Sequence, residues 1–145
     1  MPTIVLVVIF GLLGGVAVGL QSPLSSMMSQ RTGPMESTFI IHLGGALVSG
    51  AILAVRGGGS LAQWRSVPWY ALGAGVLGLV VIGAVVYTIP RVGVVGQTFL
   101  IVAGQLIIAV VIDHFGWFET AVRPIEPVRL LGMALMSVGI WLVVR

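Results

Sequence analysis

The sequence predicts an all-α integral membrane protein with five transmembrane helices, and three observations carry that prediction. Five long apolar stretches, Thr3–Met28, Thr38–Val55, Trp69–Ile89, Val94–Ile112 and Val128–Val144, fill most of the 145 residues and hold almost no charge. The chain is 58% hydrophobic and 8% charged, with a mean hydropathy of +1.16, whereas a soluble domain carries about 25% charged residues. The apolar runs are continuous rather than alternating. A run of ~18 or more such residues crosses ~30 Å of hydrocarbon as a helix, and a helix satisfies its own backbone polar groups where no water can. Little length remains for a soluble domain, so residues 1–145 read as one membrane domain.

The first span changes character midway. Gly11, Gly15 and Gly19 recur at four-residue spacing, a stripe of small residues that lets another helix approach closely. Gln21, Ser22, Pro23, Ser25 and Ser26 follow while the chain is still at membrane depth. Pro23 has no N–H to give the Gly19 carbonyl, which marks it as a hinge. The segment has no basic residue before Arg31 and its apolar run is too long for a signal peptide, so it is expected to stay as a helix. Arg31-Thr32-Gly33-Pro34 turns the chain into the second span.

The second span carries His42 and a small-residue stripe around Gly45 and Ser49, and ends at Arg56. Gly57-Gly58-Gly59-Ser60 reads as a flexible linker. Pro68 and the Trp69-Tyr70 pair open the third span as a first-turn proline and an interfacial aromatic anchor. Pro90-Arg91-Val92-Gly93 is so short a turn that spans three and four are expected to form an antiparallel hairpin. The fourth span holds Gln97, Thr98 and Gln105 and exits at Asp113-His114, where Asp113 suits a helix end better than a metal site. The loop Phe118–Pro127 leads to the fifth span, which carries Ser137 and Trp141.

All seven basic residues are Arg. They are scattered singly among short loops and form no patch, so the pI near 10.7 does not point to nucleic acid. With five spans, Arg56, Arg65, Arg123 and Arg129 lie on the Met1 side, and Arg31, Arg91 and Arg145 on the other. Basic residues in short loops set orientation, and four against three is almost no bias. Two outcomes stand open: insertion in both orientations with antiparallel pairing, or one orientation set by other features. An antiparallel pair would make a ten-helix homodimer and recreate by association the inverted repeats that larger transporters carry in one chain.

Polar side chains at membrane depth are costly and each calls for a role. Gln21 and Ser25 are four apart on one helix face, beside Pro23; they line a cavity or act as interhelical glue. Gln97 and Gln105 are eight apart, within about 80° on a helical wheel, and carry the same two alternatives. Trp141 shares a face with Ser137. His42 is the one side chain within a span that titrates near neutral pH; it responds to protons or simply bonds a neighbour. The four acidic residues, Glu36, Asp113, Glu119 and Glu126, all fall at span ends or in loops. A midplane carboxylate site for cations is therefore not expected, and a neutral or weakly polar ligand fits the lining better. There is no Cys, no nucleophile–base pair, no phosphate loop and no metal cluster, so no catalytic residue, cofactor or metal is expected and the chain does not read as an enzyme.

Gly19-Leu20-Gln21, the Trp69 opening of a Gly-rich third span, Pro90-Arg91-Val92-Gly93, and Val102-Ala103-Gly104-Gln105-Leu106 running into Ile112-Asp113-His114-Phe115-Gly116 together resemble the short, five-helix YdcZ-type branch of the drug/metabolite transporter superfamily. The resemblance covers essentially the whole chain. It implies a small protein of the bacterial inner membrane, found singly or as paired or fused copies, with transport activity. Where many members carry Asn shortly after the first-span Gln, this chain has Ser25, which keeps a hydroxyl but loses an amide. The helix 1 Glu of the more distant four-helix multidrug exporters has no counterpart, so their proton-coupled cation export does not carry over.

The resulting expectation is a small-molecule transporter acting as a homodimer by alternating access, with substrate held between Gln21, Ser25, Gln97, Gln105 and Trp141 and the third and fourth spans rocking against the first. The partners would be the lipid bilayer, a second copy and a small neutral or weakly polar substrate. The competing expectation is a non-transporting scaffold or accessory subunit that binds another membrane protein through its glycine faces.

Overall fold

A computed structural model describes residues 2–144. Five α-helices follow one another: α1 (Pro2–Thr32), α2 (Pro34–Val55), α3 (Trp69–Leu72), α4 (Ala74–Phe115) and α5 (Pro127–Val144). Two 3₁₀ turns, Leu61–Ser66 and Trp117–Glu119, sit in the connections. The chain divides into two compact units at the Pro90–Arg91 junction.

In the first unit, α1 and α2 are in contact and are separated by Gly33 alone. Gly33 takes a φ of 105°, a value that L side chains avoid. A Cβ there would also run into the Glu36 carboxylate. Pro34 opens α2 where its missing N–H costs nothing. The buried polar side chains of this unit gather around this reversal: Ser22, Ser25, Ser26 and Ser29 on α1, then Ser37 and Thr38 on α2. The four serines lie three and four apart, on one helix face. Small hydroxyls let helices come close in a bilayer, where apolar contact alone gives little advantage over lipid. The other half of α1 is different. Every side chain from Ile4 to Val18 is exposed, and Gly11, Gly15 and Gly19 have no heavy atom within 4 Å of where a Cβ would stand.

The Gly57-Gly58-Gly59 stretch is an ordered helix stop rather than the flexible linker its composition suggests. The Gly57 N–H donates to the Ala54 carbonyl at 3.1 Å and the Gly58 N–H to Leu53 at 2.8 Å. Gly57 has φ 68°. This is a Schellman closure, which satisfies carbonyls that the end of α2 would otherwise leave open.

α4 continues through Pro90, and its helical geometry fails at Gly93, with φ 74° and ψ 173°. That region is essentially closed to residues with a Cβ. The break therefore falls at the last residue of the expected Pro90–Gly93 turn rather than at its proline. α1 likewise stays helical through Pro23 and on to Thr32, past the expected end at Met28. On the early part of α4, Ile82 and Val85 are buried, and Gly78 lies on the same face.

In the second unit, Gly116 ends α4 in the left-handed region at φ 64°. The loop that follows folds back on the helix end: the Arg123 N–H donates to the Asp113 carbonyl at 2.7 Å and the Ile125 N–H to His114 Nδ1 at 3.3 Å. Phe118 and Glu119 hold positive φ values of 57° and 64°, and Phe115 stacks on Trp117 with ring centres 5.5 Å apart.

Ile4–Thr32, Pro34–Val55 and the stretch Trp69–Phe115 are each long and apolar enough to cross a membrane, and Pro127–Leu142 is a shorter apolar helix. Exposed Leu, Ile, Val and Phe along these helices are what a lipid-facing surface requires.

Candidate functional site

The polar residues picked out by their depth fall into two groups, one in each unit. In the first, Ser25 Oγ donates to the Gln21 carbonyl at 2.8 Å and Ser22 Oγ to the Val18 carbonyl at 2.9 Å. Both are back-bonds to the preceding turn, which four-residue spacing makes easy. The Ser25 hydroxyl is buried and spends its proton within α1; only its lone pairs remain for a ligand. Gln21 is exposed, and its carboxamide has no hydrogen-bond partner among the described residues. Pro23 is half-buried between them.

His42 Nδ1 lies 2.8 Å from the Thr38 carbonyl oxygen. A carbonyl only accepts, so Nδ1 carries the proton, and Nε2 of the neutral ring is left as an acceptor. That Nε2 faces α4 at Gly78: a Cβ on Gly78 would stand 2.5 Å from it. Gly78 thus makes room for the imidazole, a relation the sequence did not announce.

In the second group, Gln97 is buried at 1% exposure, and its Oε1 is 3.5 Å from the Thr98 hydroxyl. Thr98 donates its main bond to the Val94 carbonyl at 2.8 Å. Gln105 is exposed, with no hydrogen-bond partner for its carboxamide among the described residues. Trp141 is exposed on α5, and Ser137 Oγ back-bonds to Met133.

An ion pair missed by sequence reasoning anchors this unit. Arg129 Nη2 donates to Asp113 Oδ2 at 2.7 Å, with both side chains about two-thirds buried. Arg129 Nη1 also reaches the Arg123 carbonyl at 3.5 Å. The signal available was opposite charges at the two helix ends that flank one loop.

A multi-pass α-helical membrane protein, with isolated uncharged polar side chains set into apolar helices, is the class these features define. The family described as "Putative inner membrane exporter, YdcZ" matches residues 6–142. The chain belongs to this family and is a multi-pass protein of the inner membrane. Among curated proteins and among solved structures nothing matches it.

Proposed function

We propose that the chain is one subunit of a homodimeric small-molecule exporter. It has five spans, inserts in both orientations and pairs antiparallel, and it moves a neutral or weakly polar substrate by alternating access without covalent chemistry. Family membership supports export. The observation that carries the site is the pair of exposed carboxamides, Gln21 and Gln105, which have no partner among the described residues. An amide left unpaired in an apolar medium costs about 1–3 kcal/mol or more, so each needs a partner from outside the chain.

Depth favours a ligand as that partner. At 1.5 Å per residue, Gln21 lies about 15 Å from Arg31, Gln105 about 12 Å from Asp113 and Trp141 about 18 Å from Arg129. Gln21 and Gln105 are near the middle of a ~30 Å hydrocarbon layer, the level at which transporters of inverted-repeat design hold substrate, whereas Trp141 lies only about 5 Å from the Val144 end of α5 and would close the lining towards one face. Ser25 and Gln97 would complete the lining and Pro23 would serve as the hinge. The break at Gly93 supports the five-span count. Unbroken, the 42-residue α4 would measure about 63 Å, twice the hydrocarbon thickness; divided there, each half has about 20 residues, the length of one span.

Gln21→Leu and Gln105→Leu test the reading. Each is expected to abolish substrate transport in proteoliposomes while leaving the dimer intact by crosslinking. Loss of assembly in both variants would make the two amides interhelical glue and favour a scaffold role.

A further inference from the structure

The loop after α4 and the groove beneath it form a second site, separate from the residues proposed for transport. Three cavities there share walls. The outermost, of about 290 Å³, is lined by Val122, Arg123, Pro124, Glu126 and Arg129. The next, of about 250 Å³, runs between α4 and α5 with Asp113 and Arg129 at its mouth and apolar side chains such as Leu106, Val110 and Met133 below. The last, of about 40 Å³, carries on to Ile140. Arg129 is common to the first two, and Leu106, Met133 and Met136 to the second and third. Together they make one groove that starts among charges and ends among hydrocarbon.

Its dimensions and chemistry fit a membrane lipid. From Arg129 to Ile140 is about 16 Å along the helix, close to half of the ~30 Å hydrocarbon core, and so to one acyl chain in one leaflet. Gly132 thins α5 at the groove, with nothing within 4 Å of a would-be Cβ. Met133 and Met136 supply deformable walls suited to a flexible chain.

The mouth specifies the headgroup. Arg129 is already engaged by Asp113. Arg123 and Glu126 line the outer cavity, and neither side chain has a hydrogen bond or ion pair among the described residues. One cavity thus offers an unpaired guanidinium and an unpaired carboxylate. A headgroup with a phosphate and a primary ammonium answers both: the phosphate accepts from Arg123 and the ammonium donates to Glu126. A choline headgroup has no N–H to donate, and a purely anionic one brings its charge against Glu126.

We propose that this groove binds a zwitterionic phospholipid with a primary-amine headgroup, its phosphate on Arg123, its ammonium on Glu126 and one acyl chain between α4 and α5. The test uses purified, delipidated full-length protein and three lipids with identical oleoyl chains: phosphatidylethanolamine, phosphatidylcholine and phosphatidylglycerol. Retention is read by native mass spectrometry and checked by thermal melting. The ethanolamine lipid is expected to be retained roughly tenfold over the other two. Arg123→Gln and Glu126→Gln, both on an exposed loop, should each erase that preference at unchanged helicity. Gly132→Leu should weaken all three lipids by filling the groove. Equal retention of the three lipids, a preference for phosphatidylglycerol, or an ethanolamine preference that survives both charge variants would overturn the proposal. So would equal protection by free phosphoethanolamine, which would make this a site for a soluble headgroup.

Discussion

Gly78→Ala should destabilise the first unit, because it drives a methyl group into the His42 ring. The new Cβ would sit 2.5 Å from Nε2 and 3.2 Å from Cε1, whereas nonbonded carbons rest at about 3.5–4.0 Å. About 1 Å must open between α2 and α4, or the ring must turn away. The ring is exposed but tethered, since its Nδ1–H donates to the Thr38 carbonyl at 2.8 Å. Turning would give up that bond, worth about 0.5–1.5 kcal/mol, and forced overpacking typically costs about 1–3 kcal/mol. The expected loss is therefore about 1–3 kcal/mol, read from reversible unfolding in mixed micelles by tryptophan fluorescence. His42→Ala removes the obstacle, so the double variant should recover most of the loss, with a coupling of at least about 1 kcal/mol. Gly78→Ala within about 0.5 kcal/mol of the parent, the level of an ordinary surface change, or strictly additive single losses, would refute the contact.

Three further outcomes follow from the backbone, the ion pair and one hydroxyl. Gly93→Val places a β-branched residue at φ 74°, ψ 173°, a strain of about 1–3 kcal/mol, and should lower the melting temperature and the yield of inserted protein; an unchanged melting curve would remove the break at this residue. Asp113→Arg with Arg129→Asp should restore part of the stability that either single change loses, and each single loss should stay near about 1 kcal/mol because the pair is about one-third exposed. Ser25→Ala, though at a buried position, should cost no more than about 1 kcal/mol, since its hydroxyl donates only to its own helix; an effect on transport without an effect on melting would assign its lone pairs to substrate.

What was legible in the sequence was whatever hydrocarbon dictates. A bilayer demands long apolar helices, so the stretches that became α1, α2, α4 and α5 stand out from composition alone. Connections depend on finer chemistry. The three glycines after Arg56 look like any flexible tract until the Gly57 and Gly58 N–H groups are seen closing α2. The loop after Gly116 is set by positive φ at Phe118 and Glu119, residues that carry no signature for that conformation, and by an ion pair sixteen residues apart.

The candidate site was legible to the same uneven degree. Depth singled out Gln21, Ser25, Gln97, Gln105 and His42, because any polar group is conspicuous in an apolar helix. Their surroundings were not readable. The four-residue spacing of Gln21 and Ser25 suggested a shared cavity face, but it also brings the Ser25 hydroxyl onto the Gln21 carbonyl. Gln97 is buried and Gln105 exposed, a difference that depends on helix rotation rather than on residue type. The same rotation decides that Gly78, among the third-span glycines, is the one that receives His42.

The antiparallel pair is the account's central claim, and the absence of cysteine makes it directly measurable. Ser60→Cys puts a single thiol in the exposed connection between α2 and α3, to be labelled in intact cells with a membrane-impermeant maleimide. Dual insertion predicts labelling of about half the molecules, since near-equal arginine counts on the two sides leave orientation unbiased. Labelling of all or none would fix one orientation and contradict the antiparallel homodimer.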